Sequence, residues 1–163
     1  MNCSNCGAAM RFVTGRGHFA CDYCATFHFP DAPEGDDSMR LLRDAADEGC
    51  PICRQSLQHA VIEDHPALAC RSCRGVLIAQ PAFAELVKRY RQRHAPEPDQ
   101  APTPINPEDL HRVTRCPCCE RVMETHPYYG PGAVVIDTCA ACGLIWFDHG
   151  ELGVIEQALA VKK

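Results

Sequence analysis

Aromatic residues are scarce in this chain. They make up 7% of 163 residues, with one tryptophan, too few for one large packed core. No apolar run approaches the roughly 18 residues that a membrane helix needs. The segment Met1-Asn2-Cys3-Ser4-Asn5-Cys6 has no basic stretch leading into an apolar one, so no export signal is expected and the reading is a cytoplasmic protein. A basic excess is also missing. Sixteen Lys and Arg face 21 Asp and Glu, a formal net charge of −5. These absences argue against a membrane protein, a secreted protein, a general duplex-binding protein and a single large α/β enzyme.

What the chain has instead is cysteine. Thirteen Cys amount to about 8%, near the level that marks a crosslinked or metal-bound scaffold. Twelve of them form six Cys-x-x-Cys pairs, which couple in chain order: Cys3, Cys6, Cys21 and Cys24; Cys50, Cys53, Cys70 and Cys73; Cys116, Cys119, Cys139 and Cys142. The gaps between coupled pairs are 14, 16 and 19 residues, at or near those of four-cysteine zinc sites. Two intervening residues let one tight turn aim both sulfurs at a single ion, and two such turns complete a tetrahedron. Zinc suits four thiolates because it imposes no other geometry and has no redox chemistry. Iron is the second choice, since the ligand set does not exclude it. Disulfides rank third, because a reducing compartment disfavours them. Three zinc ions are expected. Gly7 and Gly143, each following the second cysteine of a pair, are expected at positive φ.

The expected fold is a small metal-stabilised α+β protein of three tandem zinc ribbons, the second and third each followed by an α-helix. Residues 1–30 read as ribbon 1, 31–48 as a linker, 49–95 as ribbon 2 plus helix, 96–114 as a Pro-rich linker and 115–163 as ribbon 3 plus helix. In ribbon 2, a turn is expected near His65-Pro66. Phe83, Leu86, Val87 and Tyr90 give an apolar helical stripe opposite Lys88, Arg89, Arg91 and Arg93. Aligning Cys73 with Cys142 places Val76 on Ile145, Leu77 on Trp146 and Ile78 on Phe147, so ribbons 2 and 3 are internal repeats. Asp148 and Glu151 form a capping-box pair three apart, which Ala79 and Ala82 cannot supply to the earlier helix. The linker of prolines and acids is expected to free ribbon 3 to move separately.

Cys116-Pro117-Cys118-Cys119, followed by Cys139-Ala140-Ala141-Cys142-Gly143-Leu144-Ile145-Trp146-Phe147-Asp148-His149-Gly150-Glu151-Leu152, resembles the bacterial zinc ribbon domain named after transcription factor IIB. The resemblance is specific over Cys116 to Leu152 and looser in ribbon 2. It implies a structural zinc held by Cys116, Cys119, Cys139 and Cys142. It implies no activity. Leu144 stands where the family pattern has a second glycine.

Four thiolates leave zinc no open position, so catalysis is not expected. The function read here is a non-enzymatic zinc-binding adaptor for a protein partner. The alternative is a nucleic-acid-binding or transcription-associated accessory factor that uses the basic helix of ribbon 2. By segment the charge is −3 over residues 1–37, +3 over 38–95 and −5 over 96–163. Each zinc with four thiolates adds −2, taking the total from −5 to −11, which disfavours nucleic acid. A third reading makes the unpaired Cys118 a redox or metal-sensing thiol; a tolerated small residue is the preferred account of it. The loop His126-Pro127-Tyr128-Tyr129-Gly130-Pro131-Gly132 is the leading contact surface by composition. The competing account is a rigid hairpin tip. Trp146 and Phe147 read as core, and His18, His28, His59, His65 and His149 as surface or packing residues without ligand spacing.

Overall fold

The computed structural model of the protein describes residues 1–13, 18–24, 26–28, 39–93, 105–128 and 134–160. Two antiparallel sheets organise them. The small one runs β1 (Arg11–Val13), β2 (His18–Ala20), β3 (Phe27–His28). The large one contains β4 (Met39–Gly49), β5 (Ser56–Ile62), β6 (His65–Ala69), β7 (Val76–Ala79), β8 (Glu124–Pro127), β9 (Val135–Cys139) and β10 (Leu144–Phe147). Its order is β4-β5-β6-β7-β10-β9-β8. Helix α1 (Gln80–Arg93) follows ribbon 2 and helix α2 (Glu151–Ala160) follows ribbon 3, as expected from the periodicity. Sheet nonetheless dominates, more than the sequence suggested.

The largest difference lies at the centre of that order. Strands β7 and β10 pair with each other, Val76 with Phe147, Leu77 with Trp146, Ile78 with Ile145 and Ala79 with Leu144. Ribbons 2 and 3 therefore share one sheet, and the Pro-rich segment does not free ribbon 3 from ribbon 2. The reason is in the strands. Val76-Leu77-Ile78 and Leu144-Ile145-Trp146-Phe147 are apolar on both faces, and such strands are stable only in a sheet interior. Leu77 and Trp146 are repeat equivalents and also direct partners, so a local twofold axis passes between them. It relates β5, β6 and β7 to β8, β9 and β10.

Each face of the large sheet has its own core. Ala60, Ala67, Val76, Ile78, Ile136, Ile145 and Phe147 lie under Phe83, Leu86, Val87 and Tyr90 of α1 and Ile155 and Leu159 of α2. The other face packs Leu57, Leu77, Met123 and Trp146 among the cysteines of ribbons 2 and 3, and Phe27 of the small sheet rests against it. The missing cap of α1 is supplied across the axis. The Gln80 amide donates to the Gly143 carbonyl at 2.9 Å. In ribbon 3 the Asp148–Glu151 capping box forms as expected, the Asp148 amide donating to Glu151 Oε2 at 2.8 Å.

Two stretches read as linker carry structure. Residues 39–48 belong to β4, which borders the sheet along β5 with two register shifts, between Leu41 and Ala45 and between Ala45 and Gly49. Such bulges erase the alternation that would have revealed a strand. Residues 31–38 lie outside the described residues, as do 96–104. Pro107–His111 forms a 3-10 turn capped by Asn106, whose Oδ1 accepts from the Glu108 amide at 3.2 Å. The β5–β6 turn falls at Glu63 and Asp64, both at positive φ as a two-residue hairpin requires, while His65 and Pro66 already belong to β6.

Candidate metal centres

Each Cys-x-x-Cys pair sits in the same backbone turn. The amide of the first cysteine donates to the carbonyl five residues on: Cys3 to Ala8, Cys21 to Thr26, Cys50 to Gln55, Cys70 to Gly75 and Cys116 to Arg121, at 2.7–2.9 Å. The carbonyl of the first cysteine accepts from the amide four residues on, at 2.8–3.0 Å, in five of the turns. That fourth residue has positive φ in all five: Gly7 at 77°, Arg54 at 66°, Arg74 at 59°, Glu120 at 60° and Gly143 at 64°. The sixth, Ala25, lies outside the described residues. The two glycines were legible in the sequence, whereas the three other residues adopt the same left-handed geometry against their preference.

These turns bring the twelve paired cysteines into the three groups expected from the spacing, with the four sulfurs of each group within 4.8 Å of one another. Sulfur separations across coupled pairs are 3.4–3.6 Å. A tetrahedron with Zn–S bonds of about 2.3 Å has edges of about 3.8 Å, close to what is found. Backbone amides point at the sulfurs, Asn5 at Cys3 (3.4 Å), Ile52 and Cys53 at Cys50 (3.4 and 3.5 Å) and Cys73 at Cys70 (3.5 Å). Such donors favour thiolate over thiol.

The titration behaviour of the sulfurs also fits a cation. Four thiols this close cannot all ionise alone, so their pKa values split. The Thr26 hydroxyl leads in holding Cys24 down to about 6, while Cys6 is pushed up to about 12, the Ala8 amide lowering it but Cys24 and Cys21 outweighing that. The Arg121 amide leads in holding Cys119 down to about 7, while Cys119 itself pushes Cys142 up to about 12. In the second group Cys70 raises Cys50 to about 12, and Cys50 holds Cys70 low. A divalent ion removes this conflict. The three groups are consistent with three zinc ions, which would be held by four thiolates each.

Shielding differs among the centres. All four cysteines of the second group are buried, whereas Cys6 of the first and Cys142 of the third are exposed. A cleft of about 490 Å3 opens between the first turns of ribbons 2 and 3, with Cys50 and Cys116 at its floor.

Behind the third centre lies a network invisible in the sequence. Arg112, at the end of the presumed linker, places its guanidinium between the buried carboxylates of Asp137 and Asp148. Burial works against its charge, but Asp148 and Asp137 outweigh it and hold the guanidinium above its ordinary pKa. Trp146 Nε1 donates to Asp148 Oδ1 at 3.1 Å, and the Thr125 hydroxyl donates to Asp137 Oδ1.

Other sequence candidates resolve differently. Three of the four cations on α1 are engaged by acids: Lys88 with Glu85 at 2.6 Å, Arg89 with Asp64 at 3.5 Å and the Glu63 carbonyl at 2.6 Å, and Arg93 with Glu63. In the loop proposed as a contact surface, His126 bonds the Pro127 carbonyl (2.8 Å) and Thr138 (3.2 Å), and Tyr128 meets Phe83 edge-on at 5.5 Å. Both serve the hairpin and the helix packing; Tyr129 to Gly132 lie outside the described residues. Cys118 is exposed, its Sγ 4.0 Å from Glu48 Oε1. Burial first, then Cys116 and Glu48, raise its pKa, opposite to an activated thiol. Trp146 and Phe147 are core, as read. Among the described residues no helix is long and apolar enough to cross a membrane.

No curated protein and no solved structure matches the chain. Residues 115–158 match the family of TFIIB-type zinc ribbons, described as transcription factor zinc-fingers.

Proposed function

We propose that this is a non-enzymatic cytoplasmic protein in which three structural zinc ribbons form an adaptor for a protein partner. The observation that supports this reading is where the charged groups are spent. Each group of four thiolates would close the coordination of its metal and leave no position for substrate or activated water. On α1, whose basic face the sequence singles out, three of four cations are already bound to Glu63, Asp64 or Glu85. Phosphate contacts would have to break those pairs on a protein that is already acidic.

The test is a titration of the zinc-loaded protein against single-stranded RNA and duplex DNA at low and high salt. The adaptor reading expects no binding tighter than the non-specific range at physiological salt. Salt-sensitive binding tighter than that range, which disappears on charge reversal at Arg89 and Arg93, would make the protein a nucleic-acid factor instead.

A further inference from the structure

The cleft between ribbons 2 and 3 lies where the local twofold brings their first metal-binding turns together. Its lining is made of repeat equivalents: Cys50 and Cys116, Pro51 and Pro117, Arg54 and Glu120. The repeats have diverged there. Ribbon 3 has Arg115 where ribbon 2 has Gly49. Each ribbon thus contributes one exposed guanidinium to the mouth. Neither Arg54 nor Arg115 has a carboxylate partner among the described residues, unlike Arg11, Arg89, Arg93 and Arg112. Arg115 makes one bond, to the Glu120 carbonyl at 3.2 Å, and keeps other donors open.

We infer that this cleft binds an acidic peptide segment of the partner, a deepening that rests on the adaptor reading. Guanidinium forks match carboxylates in geometry and charge. Pro117, half-buried, offers the backbone of a peptide a rigid apolar wall, and Pro51 lies buried beneath the opposite side. The volume of about 490 Å3 is that of a ligand site, and such sites favour junctions between units. On the adaptor reading these carboxylates belong to a protein segment, and a nucleic acid held by the same two arginines is an outcome of the test below. Glu120 beside Arg115 gives the cleft a direction: a purely basic end at Arg54 and a mixed end at Arg115.

The probe is a fluorescein-labelled octaglutamate peptide, with octaglutamine and a single-stranded oligonucleotide as comparators, titrated into the full zinc-loaded chain. Octaglutamate is expected to bind, more weakly at high salt, and octaglutamine not to bind. Arg54→Glu and Arg115→Glu should each weaken binding about tenfold, the loss of one charge-assisted pair. Arg91→Glu, on the exposed side of α1, should leave it unchanged, and all variants should retain three zinc ions. Absence of octaglutamate binding, equal losses in Arg91→Glu, or tighter binding of the oligonucleotide through the same two arginines would each overturn the assignment. The adaptor reading fails separately. If wild type and Arg54→Glu/Arg115→Glu crosslink the same protein in the host cell, the cleft assignment falls and the adaptor stands. If wild type crosslinks none, the adaptor falls.

Discussion

Gly75→Ala tests the packing at the junction of the two ribbons with one methyl group. Gly75 lies against the indole of Trp146, and a Cβ built there would stand 2.7 Å from its Cη2 and 2.9 Å from its Cε2. Neither side can give way cheaply. The ring is fully buried and pinned through Nε1 to Asp148, which also holds Arg112. The Gly75 carbonyl closes the metal-binding turn by accepting from the Cys70 amide. Overpacking alone costs about 1–3 kcal/mol. If the indole swings away instead, its bond to a charged carboxylate is lost, about 1.5–3 kcal/mol. The expected loss is about 1–3 kcal/mol, a sizeable part of the 5–15 kcal/mol typical of a domain. Trp146 is the only tryptophan, so its fluorescence in a urea titration of the zinc-loaded protein reports on the site directly. Repeating the substitution in a Trp146→Phe background, followed by circular dichroism, should cut the cost by at least half. A cost below about 0.5 kcal/mol in wild type, or an equal cost in both backgrounds, would refute the described contact.

Cys139→Ser should strip amide-exchange protection from residues 49–93 as well as from ribbon 3, because β7 and β10 share hydrogen bonds, while the first metal centre stays loaded; protection confined to loss in ribbon 3 would mean the shared sheet is not cooperative. Arg112→Ala should destabilise the fold by about 3–5 kcal/mol in urea by leaving buried Asp137 and Asp148 uncompensated, and Asp137→Asn should recover part of that loss. With a colorimetric chelator in excess, zinc should leave in two phases, the slow third belonging to the fully buried second centre, and Cys50→Ser should remove the slow phase. Acid should release zinc. Protons compete with the metal for every sulfur, and Cys24 and Cys119, held near 6 and 7, add their own uptake below those values, so metal affinity falls more steeply as pH drops through that window; a pH-stat with metal-indicator readout checks the sign.

The metal centres were legible because sulfur spacing is a local code: two residues fix a turn, and six turns in order leave little freedom. Helix α1 was legible from Phe83, Leu86, Val87 and Tyr90, and the α2 cap from Asp148 and Glu151, for the same reason. What escaped was non-local or irregular. The apolar runs of β7 and β10 say that both faces are buried but not which strand lies alongside. The sequence of β4, with Arg40, Arg43, Asp44 and Asp47, shows no alternation because its bulges shift the register twice. Arg112 follows a Pro-rich stretch with nothing nearby to mark it, and its partners lie 25 and 36 residues away. Arg54, Arg74 and Glu120 hold the place of Gly7 and Gly143, and counting four from each first cysteine would have found them.

The meeting of Leu77 with Trp146 bears on ancestry. In a homodimer of identical ribbons, the residue on the axis would have faced its own copy, and one side chain would have had to suit both halves. Fusing two copies into one chain lifts that constraint. One half could then grow an indole at the axis if the other surrendered bulk beside it, and Gly75 stands opposite that ring where the later repeat has Leu144. Covalent tethering also replaces a concentration-dependent encounter with an effective concentration on the order of millimolar. The pair stays assembled however scarce the protein is in the cell, and its two halves are free to diverge along their common seam.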